Sequence, residues 1–138
     1  MTRFMVGGHN RAMFAHLMAD AVLILHGLFI AWVLAGALAV ARWPHLLWLH
    51  LPALGWAAWI EFSGGICPLT PLENAWRLAA GQAGYSGSFI EHYLWPLIYP
   101  DGLTPGVQWL LGALVLGLNG ALYGGLWWRR RARAARGA

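Results

Sequence analysis

Long apolar runs dominate the hydrophobic pattern of this chain, in place of the spaced apolar positions of a water-soluble helix. A helix that crosses a membrane needs about 20 mostly apolar residues. Three runs reach this length, at residues 21–41, 44–62 and 105–128. The first is longer than the roughly 7–15 apolar residues of a secretory signal, so we expect it to be retained. The pattern therefore predicts three transmembrane helices.

A fourth apolar stretch, residues 89–99, is short and contains Pro96. As a helix it would be about 16 Å long, roughly half the thickness of a bilayer core, and the proline would kink it. Four spans would put eight arginines inside and one outside, whereas three would put six inside and three outside. The charge distribution favours four spans and the length favours three. Both arrangements place the C-terminus in the cytoplasm.

The segment between the second and fourth apolar runs carries the signals of a short amphipathic helix. Thr70 and Glu73 have the spacing of a capping box. A helix over residues 71–80 would place apolar side chains on one face and the Glu73–Arg77 pair on the other. Gly81 is expected to end it. We interpret this segment as an interfacial helix lying in the headgroup layer.

Two further helix starts are predicted by the same kind of signal. Ser88 and Glu91 have capping-box spacing at the start of the fourth apolar stretch. Thr104 precedes Pro105, which suits the first helical position of the last span.

The single cysteine, Cys67, lies just after the second span, between a Gly-Gly pair and Pro68. No basic residue adjacent in the sequence would activate the thiol. We interpret Cys67 as part of a turn at the membrane surface and not as a catalytic group.

The first and last runs also carry stripes of small residues at every fourth position. Such stripes let helix backbones approach closely in lipid, so we predict that these two helices pack together. The stripes are Gly27, Ala31, Ala35 and Ala39 in the first run, and Ala113, Gly117, Ala121 and Gly125 in the last.

Composition excludes an ordinary soluble domain. Apolar residues make up 59% of the chain and charged residues 10%, whereas about a quarter of the residues in a soluble protein are charged. All nine basic residues are arginine, and five of them lie in the tail, residues 129–138. Because the tail directly follows Trp127 and Trp128, it indicates a cytoplasmic stop at a membrane surface with anionic lipid, and not a nucleic-acid site.

Ionisable side chains inside lipid are costly, so each is a candidate for function. Spans one and two meet near Arg42, and counting along each helix from there brings His26 and Glu61 to within about 3 Å of the same depth. His92, early in the fourth stretch, can return to that level in either topology. We predict a cluster of His26, Glu61 and His92 at the membrane face from which the polar segment leaves. His50, nearer the turn, is a secondary polar site.

Several kinds of chemistry suit this cluster. Two histidines with a carboxylate are a ligand set for Fe, Zn or Mn, and two histidines on facing helices can hold a b-type haem. Proton relay or hydrogen bonding to a quinone headgroup also suits these groups.

The same polar residues also have purely structural interpretations. His26 can hydrogen-bond to a neighbouring helix, Glu61 can be hydrated at the end of its span, and Asn119 is best explained as the donor or acceptor of an interhelical hydrogen bond. No nucleophile–base pair, phosphate loop or zinc-protease motif occurs in the sequence, so a binding role is favoured over an enzyme.

Four segments of the sequence show a family resemblance: ADAVLILH at 19–26, RWPHLLWLHLPA at 42–53, IEFSGGICPLTPLEN at 60–74 and GYSGSFIEHYLWPLIYP at 84–100. With the final span and its arginine tail, they resemble the bacterial membrane-protein family catalogued as domain of unknown function 2784. The resemblance implies a small polytopic protein of the bacterial inner membrane. It implies no activity.

We therefore expect the whole chain, 1–138, to form one all-α membrane domain. It would be a bundle of three transmembrane helices with a short kinked fourth apolar helix and an interfacial amphipathic helix. The leading hypothesis is that it binds haem b or a transition metal at the His/Glu cluster. The alternative is an accessory or structural subunit of a larger membrane complex. Expected partners are the lipid bilayer and other membrane subunits or further copies of this chain.

Overall fold

Four α-helices form most of the chain in the computed structural model, which describes residues 3–97 and 103–136 and the side chains from residue 8 onward. They are α1 (Arg3–Arg42), α2 (Leu47–Ser63), α3 (Leu69–Ala79) and α4 (Pro105–Arg136). A 3-10 turn (Pro44–Leu46) leads into α2, and a π-helical turn (Ile90–Leu94) and a 3-10 turn (Trp95–Leu97) follow α3. Helix accounts for 86% of the structure, and no strand occurs in the described ranges. The predicted all-α class is confirmed.

Helix α1 extends well beyond the predicted first span. It has 40 residues and is therefore about 60 Å long, roughly twice the thickness of a bilayer core. Asp20 limits the apolar run but does not interrupt the helix, because no proline follows it before Arg42. Among the described residues, two helices are long and apolar enough to cross a membrane: the Gly8–Arg42 part of α1, and α4. Helix α2 has 17 residues and is shorter.

The predicted stop at Gly81 is confirmed. Gly81 has a φ angle of 77°, a left-handed conformation that glycine adopts at little cost. The Gln82 amide donates to the Arg77 carbonyl at 2.8 Å, and the Gly81 amide donates to the Leu78 carbonyl at 3.0 Å. These two bonds form a Schellman motif, which satisfies the last carbonyls of α3. Gly64, with a φ angle of 65°, follows α2 in the same way.

The predicted start of the interfacial helix is wrong. Helix α3 begins at Leu69 with Pro68 before it, so Thr70 lies inside the first turn and no side chain caps the helix. Pro71 is compatible with this earlier start because a proline in the first turn removes no intrahelical bond. Thr70 and Glu73 therefore do not form a capping box, and both are buried.

The other two predicted helix starts are present. The Glu91 amide donates to the Ser88 hydroxyl at 3.1 Å, and the Ser88 amide donates to the Glu91 carboxylate at 3.4 Å. This is the reciprocal pair of a capping box. At α4, the Val107 amide donates to the Thr104 hydroxyl at 3.4 Å.

The small-residue stripes are not packing faces. Ala31 and Ala35 of α1 are exposed, and so are all four stripe residues of α4. The close approaches occur instead at Gly36 and Gly112, where an added Cβ would meet another helix. Small size permits close packing but does not select the face of a helix that turns inward. Buried polar side chains such as His50 and Asn119 make that selection here.

The described chain divides into two compact units. The first unit comprises Met1–Leu28 and Ile66–Leu103, and the second comprises Phe29–Gly65 and Thr104–Ala138. Helix α1 is continuous and contributes residues to both units.

Candidate functional site

The second unit has a polar core centred on His50 of α2, whose side chain is fully buried. The Tyr123 hydroxyl donates to Nδ1 of His50 at 2.6 Å, and Nε2 of His50 donates to the Val33 carbonyl at 3.4 Å. These partners assign the proton of a neutral imidazole to Nε2. His50 therefore connects α2 to both α1 and α4, which makes it a structural residue.

A glycine and an asparagine complete this core. Gly36 of α1 faces the imidazole so closely that an added Cβ would lie 2.7 Å from Nε2 of His50. Asn119 of α4 is fully buried and donates to the carbonyls of Val33 at 3.0 Å and Val115 at 2.9 Å. The prediction that Asn119 bonds to a neighbouring helix is confirmed.

Glu61, a predicted ligand, lies near the end of α2 in the second unit. Its β-carbon faces Gly112 of α4, where an added Cβ would be 3.2 Å away. Its Oε2 atom is buried and has no hydrogen-bond partner among the described residues. Unpaired buried polar atoms are exceptions in native proteins and often mark a place for a water molecule, an ion or a ligand.

The first unit is built around Glu73, a fully buried carboxylate of α3. The Tyr85 hydroxyl donates to Oε2 at 2.9 Å, and the Tyr93 hydroxyl donates to Oε1 at 2.7 Å. Arg77, one turn further along α3, brings Nη1 to 3.6 Å from Oε1. Because burying an unpaired carboxylate is costly, these three partners are what make the position of Glu73 tolerable. We call these four residues the Glu73 cluster.

Both tyrosines of the Glu73 cluster remain hydrogen-bond donors over the physiological pH range. Burial, aided by the hydrogen bond to Glu73, raises the pKa of Tyr93 to about 12. The same causes, in the same order, raise the pKa of Tyr85. A free tyrosine has a pKa near 10, so neither hydroxyl loses its proton near neutral pH.

The Glu73 cluster fixes the segment between α3 and the π-helical turn. Asn74 donates to the Tyr85 carbonyl at 2.8 Å and accepts from the Tyr85 amide at 3.0 Å. Arg77 donates to the Ala83 carbonyl at 3.1 Å and to the Tyr93 hydroxyl at 2.9 Å. Side-chain hydrogen bonds therefore hold this segment in place where regular secondary structure is lacking.

His26 of α1 lies in the first unit and is 4% exposed. Its ring packs on Phe89, with the two ring centroids 4.1 Å apart. Glu73 interacts with it electrostatically. Its Nδ1 atom is buried and has no hydrogen-bond partner in the described part of the chain. His26 thus offers an unused imidazole nitrogen on a ring that packs against Phe89.

His92, on the π-helical turn, is exposed. Its ring stacks on Tyr85, with centroids 4.0 Å apart and planes inclined by 8°, and meets Tyr93 edge-on at 4.6 Å. Of the three predicted ligands, His26 and His92 therefore both border the aromatic residues of the first unit. Glu61 belongs to the second unit. Within residues 3–97 and 103–136, no three His, Cys, Asp or Glu side chains come together to hold a metal ion.

Cys67 lies in the connection between α2 and α3, where the sequence predicts a turn. Its thiol is free, and its carbonyl accepts a hydrogen bond from the Thr70 amide at 2.9 Å. Cys67 therefore takes part in the turn through its backbone carbonyl.

Both units place polar groups inside and apolar groups outside. In α2, His50 is buried while Trp48 is 83% exposed, and in α3, Glu73 is buried while Leu72 and Leu78 are exposed. Glu73 is thus turned inward, and the uncovered face of α3 is the apolar one. In water such exposure is unfavourable, whereas in lipid it is the favourable arrangement. The exposed large apolar side chains of α1 and α4 follow the same rule, including Ile24, Leu25, Leu28, Trp109, Leu110 and Leu114.

Over residues 3–97 and 103–136, these features define an all-helical protein with two helices suited to crossing a membrane. The sequence model of the family described as "Protein of Unknown function (DUF2784)" matches residues 16–124, and the chain belongs to this family. The resemblance found in the sequence is thereby confirmed. Searches of curated proteins and of solved structures found no match.

The sequence pattern did not reveal that Glu73 is buried at the centre of the first unit. Its spacing from Thr70 and Arg77 matches a helix start and a surface ion pair, which are both local signals. The partners that explain its burial, Tyr85 and Tyr93, lie 12 and 20 residues further along the chain. The available signal was the presence of two tyrosines soon after an acidic residue in a chain with very few charges.

Proposed function

We propose that this is an integral protein of the bacterial inner membrane with three spans, and that it acts as a binding protein and not as an enzyme. In this proposal, α2 is a third transmembrane helix besides α1 and α4. Helix α2, with 17 residues, is about 26 Å long, close to the roughly 30 Å of a bilayer core, and the turn at Pro44–Leu46 then lies at its end. The uncovered side of α2 carries Trp48 and Trp59, and its buried side carries His50.

The stretch after Ser88 supports three spans over four. Its described part, residues 90–97, is a π-helical turn followed by a 3-10 turn. The whole apolar stretch, residues 89–99, would be only about 16 Å long as a regular α-helix, half of a bilayer core. With three spans, the turn at Pro44–Leu46 shares the cytoplasmic side with the arginine tail. Cys67 and the Glu73 cluster then lie on the opposite side.

Cysteine labelling in intact spheroplasts tests this topology. With three spans, a membrane-impermeant maleimide labels the native Cys67 from outside. A variant that combines Cys67→Ala with His45→Cys is labelled only after lysis, because residue 45 is exposed in the cytoplasmic turn. The two proteins are matched, since each has one cysteine. The reverse pattern, with residue 45 labelled outside and Cys67 protected, is the four-span result and would overturn the proposal.

The unused Nδ1 atom of His26 is the observation that supports a binding role. Haem iron can be held by a single axial imidazole, whereas a metal ion bound by protein alone needs three or four ligands. Haem b is therefore the ligand class that best suits an isolated imidazole packed against the ring of Phe89. Phe89 lies against His26 just before the π-helical turn, and such turns are frequent at functional sites. Displacement of the Phe89 ring would open the edge of His26.

The absorption spectrum of the protein purified in mild detergent, before and after haem addition, tests this role. We expect a Soret band that His26→Ala abolishes and that His45→Ala, a change at an exposed histidine of the cytoplasmic turn, leaves intact. His92→Ala and Glu61→Gln, measured in parallel, decide whether the predicted ligands share one site. A wild-type protein that stays colourless after haem addition contradicts the proposal. If such a protein also retains a stoichiometric companion subunit, the accessory role becomes the better explanation.

A further inference from the structure

The arginine tail is a continuation of α4. The apolar part of the helix ends at Trp127 and Trp128, and the helix continues without a break to Arg136. The five arginines that follow the tryptophans therefore have fixed angular positions around one axis. A disordered basic tail would offer only diffuse charge, whereas a helical one can present a defined site.

Three of these arginines share one face. At about 100° per residue, Arg129, Arg133 and Arg136 fall within an arc of roughly 60°, while Arg131 lies on the opposite side. A surface groove is lined by those three side chains together with Trp128 and Ala132. Ala132 contributes no bulk at its centre. We call this the Arg129 groove.

Arg131 already has an intramolecular partner. Its guanidinium lies 3.9 Å from the centre of the Trp127 ring, at the distance of a cation–π contact. The arginines of the Arg129 groove are exposed. The two faces of the helix end thus differ in chemistry although they carry the same kind of charge.

We propose that the Arg129 groove binds the phosphate of an anionic phospholipid of the cytoplasmic leaflet. Guanidinium groups bind phosphate oxygens through paired hydrogen bonds, so three on one face can enclose a phosphate. Trp128, next to them, has an indole of the type that settles at headgroup depth. Cytoplasmic leaflets are rich in anionic lipid, which attracts basic segments beside a span. The inference rests on the proposed membrane placement of α4.

Titration with lipid, read by native mass spectrometry of the full chain in detergent, tests the site. The probes are dioleoyl phosphatidylglycerol, cardiolipin and phosphatidylcholine. We expect both anionic lipids to be retained over phosphatidylcholine. Arg129→Gln with Arg133→Gln should weaken that retention by about tenfold or more, because each charge-assisted hydrogen bond lost corresponds to roughly that factor. Arg130→Gln with Arg131→Gln removes the same charge from outside the groove and should weaken it by less than about threefold.

Three outcomes would overturn the proposal. Equal losses for the two double variants would mean diffuse attraction between the tail and the membrane. Equal retention of phosphatidylcholine and the anionic lipids would mean no headgroup recognition. Binding of a single-stranded oligonucleotide in preference to either anionic lipid would assign the groove to nucleic acid. Because all five arginines are exposed, thermal unfolding should be alike in the two variants. The labelling of Cys67 tests the membrane placement separately, so the two failures can be told apart.

Discussion

Replacing Gly36 with alanine destabilises the protein by about 2 kcal/mol or more, the cost of forcing an atom into a filled core. The added Cβ would lie 2.7 Å from Nε2 and 3.1 Å from Cγ of His50. The imidazole has little freedom to move away, since Tyr123 and the Val33 carbonyl hold its two nitrogens. A shift would break one of these bonds or separate α1 from α2. The midpoint of thermal unfolding in detergent measures the effect.

The same helix offers a matched control at Gly27. An added Cβ there has no atom of the described residues within 4 Å. Alanine in place of glycine in a helix interior is favourable by roughly 0.5–1 kcal/mol, so Gly27→Ala should be neutral or stabilising. The variant with both Gly36→Ala and His50→Ala should be destabilised by less than the sum of the two single effects, because the added Cβ no longer meets the imidazole ring. Equal unfolding midpoints for Gly36→Ala and Gly27→Ala would show that the close approach between α1 and α2 is absent.

Replacing Glu73 with alanine should destabilise the first unit by about 3 kcal/mol, at the lower end of the range for breaking a buried ion pair. The change leaves the hydroxyls of Tyr85 and Tyr93 without their acceptor. Arg77 is 26% exposed and can turn toward solvent, which is why we expect the lower end of the range. The segment after α3 is tied to this cluster, so its susceptibility to protease should rise more than that of the rest of the chain.

Glu91→Ala is the control for the loss of a carboxylate. Glu91 takes part in a capping box, whose loss costs about 1 kcal/mol. Tyr93→Phe removes one of the hydroxyl donors, and because a typical hydrogen bond contributes about 1 kcal/mol, it should cost about as much as Glu91→Ala. The expected order of destabilisation is therefore Glu73→Ala, then Tyr93→Phe and Glu91→Ala. If Glu73→Ala unfolds like Glu91→Ala and leaves the segment resistant to protease, Glu73 does not organise the first unit.

The sequence was sufficient for the parts of the fold that depend on neighbouring residues. The first and last apolar runs lie inside α1 and α4, and the second begins in the turn at Pro44–Leu46 and continues into α2. Gly81 and the Ser88–Glu91 pair act as their local signals indicate. The sequence did not predict that α1 begins as early as Arg3, because hydropathy indicates which residues lie in lipid and not where a helix begins. Asp20 is unfavourable in lipid but compatible with a helix.

The inward faces of the helices could not be predicted from periodicity. In a membrane, both lipid and protein interior accept apolar side chains, so the small-residue stripes of α1 and α4 carried no information on direction. The rare polar residues were the better guide. His26, His50 and Asn119 are all buried. For Glu73 the decisive partners are distant in sequence, and no local pattern contains them.

The dependence of Glu73 on later residues has a consequence for the order in which the chain can mature. Biosynthesis completes α3 before Tyr85 and Tyr93 have been added, so the carboxylate has only Arg77 as a partner at that stage. It must remain hydrated until both phenols have emerged, since a buried carboxylate without its donors is costly. Residues are added at about 5–20 per second, which makes this delay on the order of seconds. The first unit can therefore mature only after residue 93 has left the ribosome, although its first helix begins at the N-terminus.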